Sequence, residues 1–301
     1  MNMQMSRAMR RQMTSTTNFE RANGAGAIRQ PRPLTNEEMI KFAPSIFAQD
    51  KFHERSERYT YIPTIMVIEG LRKEGWQPVS VAQGGTRHEE RRGFTRHVIR
   101  MRKDGMTMRA VGDVLPELVL KNAHDGTASY ELMSGWFRLA CLNGMVVADR
   151  NHPEYSIKFP HKGDIIPDVI EGSYRVIDEM AKQQEQIKQM AATPLRLSEQ
   201  RLLAEQSMTL RFADRPAGEY LTPDSILAAR RQEDTGNDLW MTFQRIQENL
   251  TKGGQRYMTR DTRGRDVRRT VRPVQGVDAD TALNKALWML ASEMLLLKQA
   301  A

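Results

Sequence analysis

The sequence predicts an α+β fold: an antiparallel sheet of 3–5 strands backed by helices, followed by a mostly helical C-terminal half. Three observations carry this prediction. Short β-type runs follow one another over residues 79–120 with no helix between them. Asp104-Gly105 stands between two of these runs, and Asp-Gly supplies the positive φ values that a tight hairpin needs. After Asp149 the apolar residues recur every three or four positions, the helical period, instead of alternating.

Residues 1–36 are rich in Met, Arg, Gly, Thr and Pro, with six arginines against the single acid Glu20. That composition predicts a disordered basic arm. An α+β core is expected over 37–150 and a helical region over 151–301. Thr35-Asn36-Glu37-Glu38 opens a short helix through Ile40 and Phe42, broken at Pro44. Ile62-Pro63 opens the next helix, with Ile65, Ile68 and Leu71 inward and Gly75 as the stop. Trp76 leads into a strand over 79–82. A second strand over 94–102 sends Phe94, Arg96, Val98, Arg100 and Arg102 one way, and Thr95, His97, Ile99 and Met101 the other. A third strand is expected over 106–111 and a fourth over 114–120.

The densest stretch comes next. Asn122, His124, Asp125 and Gly126 read as a polar turn at a strand end. Leu132, Met133, Trp136, Phe137, Leu139, Ala140 and Leu142 then read as a broad apolar helix face over 130–147, with Asn143-Gly144 as its stop. Further helices are expected over 165–191, 198–212, 223–233, 239–250 and 279–298.

Composition narrows the function. The chain has 301 residues, 40% hydrophobic and 27% charged, with a net charge of +8 and an isoelectric point near 9.7. A soluble cytoplasmic protein with an acidic polymer as partner fits this balance. Cys141 is the single cysteine, so no internal disulfide can form. No apolar run reaches the length of a membrane span.

The basic residues cluster in two places. Residues 85–109 hold eight Lys or Arg against three acids, and residues 251–272 hold eight against two. The bland reading of such runs is a solvated face. The sharper one rests on the dominance of arginine, whose planar fork binds phosphate and stacks on bases. On that reading Arg87, Arg91, Arg92, Arg96, Arg100, Arg102 and Lys103 grip a nucleic-acid backbone. Lys121, Asn122 and His124 at a strand end join them, as do Arg260, Arg263, Arg265, Arg268 and Arg269 on a mobile loop or hairpin over 253–272. No phosphate-binding glycine loop, dinucleotide fingerprint, nucleophile elbow or HExxH helix is present. Asp113, Glu117 and Asp125 could meet as a magnesium site of a nuclease, but no spacing commits them. His53 with Glu54 and Glu57 fits no zinc pattern. No catalytic residue, metal or cofactor is therefore expected.

Four stretches together carry a resemblance. They are Arg58-Tyr59-Thr60-Tyr61-Ile62-Pro63-Thr64, Gly75-Trp76-Gln77-Pro78-Val79, Asn122-Ala123-His124-Asp125-Gly126, and Phe137-Arg138-Leu139-Ala140-Cys141-Leu142-Asn143-Gly144-Met145-Val146-Val147. The chain resembles, over about residues 40–250, a phage/plasmid-like family of bacterial mobile elements known only as a domain of unknown function. Its element order, a helix ending in Gly75-Trp76, an antiparallel sheet and a helix behind it, is similar to that of Rad-type single-strand annealing proteins. That resemblance implies a homo-oligomeric ring or filament that holds single-stranded DNA, or RNA, and pairs complementary strands without ATP. An anti-defence or regulatory binding protein of a mobile element is the alternative.

Overall fold

The computed structural model describes residues 26–50, 52, 61–105, 114–138, 143–146, 156–160, 163–212 and 221–300. The chain divides into two compact units, one formed by residues 1–146 with 153–180 and the other by 147–152 with 181–301. The first unit therefore runs past the boundary expected at 150.

The first unit is the α+β half. Its elements are β1 (Gly26–Arg29), α1 (Asn36–Phe42), α2 (Thr64–Lys73), β2 (Trp76–Gln83), β3 (His97–Lys103), β4 (Val114–Asn122), β5 (Tyr130–Arg138), β6 (Asn143–Val146) and β7 (Ser156–Phe159), followed by the start of α3 (Ile166–Ala191). The strands form one antiparallel sheet in the order β1-β2-β3-β4-β5-β6, and β7 pairs with the other half of β5. Seven strands among the described residues thus stand in a sheet expected to have three to five. The first is a correction: Gly26–Arg29, assigned from composition to a disordered arm, pairs with β2 as the edge strand.

Local chemistry accounts for most of these elements. Thr35 and Glu38 form a capping box at the start of α1, where a helix start was expected. In α2, Val67, Ile68 and Leu71 are buried, and Gly75 ends the helix at φ +81°. The alternation read for the second strand holds from His97 onward, with His97, Ile99 and Met101 buried. Residues 94–96, however, belong to the preceding loop, and the third strand expected over 106–111 lies outside the described residues.

The largest correction concerns residues 130–147. The aromatic stretch is strand β5 followed by β6, and Asn143-Gly144 pairs with β5 instead of ending a helix. Every residue of β5 is buried. A strand closed off on both faces has no polar side to reveal its two-residue period, so its apolar run reads like a buried helix. Gly135 at its middle, a poor helix residue, was the signal against.

The second unit contains the end of α3, then α4 (Leu197–Phe212), α5 (Pro223–Leu227), α6 (Leu239–Lys252), the hairpin β8 (Arg256–Arg260) and β9 (Asp266–Thr270), and α7 (Val277–Ala300). The helix expected over 223–233 stops at Leu227. Asp238 caps α6 by accepting from the Met241 N–H at 2.8 Å. Almost every position of α6 is buried, which makes it the central helix of this unit. Trp240, Phe243 and Trp288 meet edge-on and stacked, with ring centroids 5.6, 5.8 and 6.3 Å apart.

Trp288→Ala should therefore cost about 3–5 kcal/mol. Urea unfolding followed by circular dichroism checks this, and an unchanged midpoint would show that the aromatic cluster does not hold the helical unit together.

Candidate nucleic-acid interface

The residues expected to grip a backbone fall into three settings. The first is the loop before β3. Arg87 and Arg92 are exposed there, Arg92 with Glu89 at 3.3 Å. The Arg91 guanidinium lies 5.1 Å from the Phe52 ring centre. Arg96 donates to the Thr127 carbonyl at 2.8 Å and to its hydroxyl at 3.2 Å, so it ties the loop to the turn after β4.

The second setting is the sheet, where the expectation of an outward-facing track fails. Arg100 and Arg102 of β3 and Arg29 of β1 converge on Glu117 of β4, at 3.6, 2.9 and 2.7 Å. Glu117 is completely buried. The guanidiniums of Arg29 and Arg102 both lie over the Phe137 ring of β5, 4.1 and 4.9 Å from its centre. Burial opposes the charge on Glu117, but the arginines, Arg29 first, more than offset it and hold the carboxyl down at about 2. Lys121 pairs with Glu131 at 2.7 Å, and Lys103 lies 4.9 Å from the Tyr174 ring centre. Charges forced into a covered sheet must be paired there, because an unpaired buried charge costs several kcal/mol. Glu117 is thus the counterion of its neighbours, and Asp125 is a turn acceptor for Thr127. The two carboxylates thus have separate partners, and Asp113 and His53 lie outside the described residues.

Asn122 and His124 are also corrected. Both are fully buried, with Thr64, His97 and Tyr130, around one hydroxyl. Thr64 Oγ1 lies 2.9 Å from Nε2 of His97, 2.9 Å from Nε2 of His124 and 3.1 Å from Nδ2 of Asn122. The proton positions follow from the acceptor-only groups around them. Nδ1 of His97 faces the Thr95 carbonyl at 3.2 Å and the Ser45 hydroxyl at 2.8 Å, so it carries the hydrogen. With a neutral ring, Nε2 of His97 then accepts from Thr64. The Thr64 oxygen, its one proton spent, accepts from His124 Nε2–H and from Asn122. Tyr130 donates to the Ile62 carbonyl at 2.7 Å. Residues 61–64 and 122–124 meet in this knot, which fastens the first turn of α2 to β3, β4 and β5. Thr64 is fully buried, so the pairing of hydroxyl and imidazole fastens elements instead of presenting a nucleophile.

The third setting does present charge. β8 and β9 form an isolated two-stranded ribbon. Its register puts Arg256, Met258, Arg260, Arg268 and Asp266 on one face, and Tyr257 and Arg269 on the other. Arg260 approaches Asp266 at 3.6 Å and Arg265 pairs with Asp261 at 2.8 Å. Arg256, Arg263, Arg268 and Arg269 have no ion-pair partner among the described residues, and all are exposed. The base of the ribbon is fixed. Gly253 caps α6 at φ +64°, and a side chain there would meet the Val271 carbonyl at 2.4 Å. Gly254 donates to Val271 and Val271 to Gln255. Arg230 donates to the Gly253 carbonyl and, at 2.7 Å, to Asn249 of α6. The ribbon thus projects its arginines from a rigid root. Arg256 belongs to the same run but only the register reveals that it shares a face with Arg268.

Among the described residues, no group of three His, Cys, Asp or Glu could hold a metal ion, and no helix is long and apolar enough to cross a membrane.

Residues 51–288 match the family described as Domain of unknown function (DUF932). The chain is 42% identical over 275 residues to the UPF0380 protein YfjQ of Escherichia coli (strain K12), covering 91% of this chain and 96% of the relative. The UPF0380 protein YafZ of the same strain gives the same identity and coverage. No solved structure matches.

Two outcomes follow from the buried clusters. Glu117→Ala should cost about 3–5 kcal/mol by stranding arginines in the sheet. Because folding lowers the Glu117 carboxyl from its ordinary 4.5 to about 2, its ion-pair contribution is complete above pH 4.5 and is lost as pH falls toward 2. Urea midpoints between pH 6 and pH 2.5 should fall less steeply in Glu117→Gln than in the wild type. Thr64→Val should cost about 2–4 kcal/mol, since it leaves several buried donors and acceptors without their shared partner. Thermal unfolding reads this out, and a loss under half a kcal/mol would show the knot to be dispensable.

Proposed function

The chain belongs to the DUF932 family, a domain of unknown function, and on that premise we propose that it binds single-stranded nucleic acid through the β8–β9 ribbon and promotes annealing of complementary strands. The single observation that supports the reading is the ribbon itself. Arg256, Arg260 and Arg268 share one face, Arg263 lies at the tip, and the root is locked to α6. A strip of guanidiniums on one ribbon face holds phosphates without reading bases, so the bases stay free to pair. Tyr257, half-buried on the other face, offers a ring for stacking. No nucleotide-binding loop is needed, because neutralising two phosphate backbones removes the main barrier to their approach. In this proposal the protein works as a homo-oligomer that brings two coated strands together. An anti-defence or regulatory protein using the same face on an acidic host complex is distinguished by the same measurement.

Fluorescence anisotropy with a labelled single-stranded oligonucleotide should show binding whose logarithmic affinity falls linearly with logarithmic salt concentration. Arg256→Glu with Arg268→Glu should weaken binding at least about tenfold, since each lost phosphate contact is worth about 1–2 kcal/mol, and should flatten the salt slope. Adding the complementary strand should accelerate duplex formation over the protein-free rate. Unchanged affinity in the double variant would overturn the reading, and binding without faster pairing would remove annealing from it.

A further inference from the structure

The sheet of the first unit holds a second basic feature, independent of the ribbon. Arg29 spends both terminal nitrogens on Glu117, at 2.7 and 3.1 Å. Arg102 spends Nε and Nη2 on the same carboxylate, at 3.1 and 2.9 Å. Two guanidiniums thus share one carboxylate, and Arg100 approaches it as well. The Arg29–Arg102 pair retains an excess of positive charge in a place where the two side chains are only 15% and 19% exposed. Burial and the neighbouring Arg29 both press against the charge on Arg102, and Glu117 relieves this only in part. A partly desolvated like-charge pair of this kind is stabilised by a further anion.

The donors left over point to what that anion is. Nε of Arg29 and Nη1 of Arg102 carry no hydrogen bond among the described residues, and neither is sealed from solvent. Ser80 of β2 pairs with Arg29 on one side and with Arg100 on the other, and Arg102 lies two residues along from Arg100 on that same face. Its hydroxyl, half-buried, also has no partner among the described residues. Two guanidinium N–H groups and a hydroxyl on one sheet face, backed by the Phe137 ring, form the donor set that a tetrahedral oxyanion accepts.

We propose that Arg29, Ser80 and Arg102 form a binding site for a phosphate-class oxyanion at the β1 edge of the sheet, with Glu117 acting as the fixed counter-charge that sets the arginines' orientation. Glu117 and the Phe137 ring hold both guanidiniums in place before the anion arrives, so binding costs little side-chain freedom. The shared chemistry is the phosphate group, supplied either by a free phosphate monoester or by the diester of a nucleic-acid backbone. This site stands whether or not the ribbon binds nucleic acid.

Isothermal titration calorimetry with inorganic phosphate, against chloride at equal ionic strength, tests it directly. The wild type should bind phosphate at one site per chain. Arg29→Lys keeps the charge beside Glu117 but loses the fork, and it should weaken phosphate at least about tenfold, the loss of one charge-assisted hydrogen bond. Ser80→Ala should weaken it measurably with little effect on folding, and it decides the matter if Arg29→Lys does not fold. The ribbon variant Arg268→Glu should bind phosphate as the wild type does. A short oligonucleotide without terminal phosphates, titrated in competition, separates the sources: displacement of phosphate assigns the site to backbone diesters, and no displacement assigns it to free monoesters. Absence of phosphate binding beyond the chloride control, or binding unaltered in Ser80→Ala and in folded Arg29→Lys, would overturn the site.

Discussion

A sheet whose inner strands are covered on both faces must settle every charge and polar group it carries without water. That constraint governs the first unit. β4 and β5 are almost wholly buried, yet they bring Glu117, Lys121, Asn122 and Glu131 into the interior. Each of them finds a specific partner. Glu117 gathers arginines from β1 and β3, Lys121 takes Glu131, and Asn122 donates to the Thr64 hydroxyl shared with His97 and His124. These partnerships fix strand register, because a slip of one residue would turn every buried charge to the wrong face. They also explain why the edge strand and α2 sit where they do: each supplies an atom that a buried group would otherwise lack.

The second unit meets the same constraint with a helix. α6 is apolar on one side, where Trp240, Phe243 and Ile246 join the core, and polar on the rest although it is buried there too. Asn249 accepts from Arg230 and donates to the carbonyls of Ile226 and Ala228, and Gln247 donates to Asn284 of α7 at 2.7 Å. Arg245 donates to the carbonyls of Asp234 and Gly236. The irregular segment between α5 and α6 is held by these side chains in place of a backbone ladder, and the root of the arginine ribbon is fixed by the same set.

Much of this was legible in the residues. The helix start at Thr35 to Glu38, the Gly75 stop, the alternation of Val98, Arg100 and Arg102, and the helical spacing after Ile165 all depend on neighbours in sequence, and they read correctly. The misreadings share a physical cause, since each depended on a distant partner. Nothing near Arg100 in sequence reveals that Glu117 will face it from the next strand. Asn122 and His124 look like an exposed turn until Thr64, some sixty residues earlier, is seen to close over them. β5 looks helical because its polar counterparts, Arg138 and Glu131, are buried as thoroughly as Trp136 and Phe137. Gly26–Arg29 looks like part of a disordered arm because composition weighs the average of a stretch and not the single residue whose counter-charge lies elsewhere. The ribbon arginines were legible as a run, but which of them share a face was not, because that is set by the pairing across the turn.

The strand made by Gly26–Arg29 has a consequence for how the chain comes off the ribosome. Its docking site on β2 is synthesised some fifty residues later, and Glu117, the counter-charge of Arg29, later still. This strand is made before its partners and is therefore among the last to find its place, waiting in the open while the sheet assembles. Proteolytic loss of Gly26–Arg29 would uncover a sheet margin and leave an interior carboxylate short of a cation.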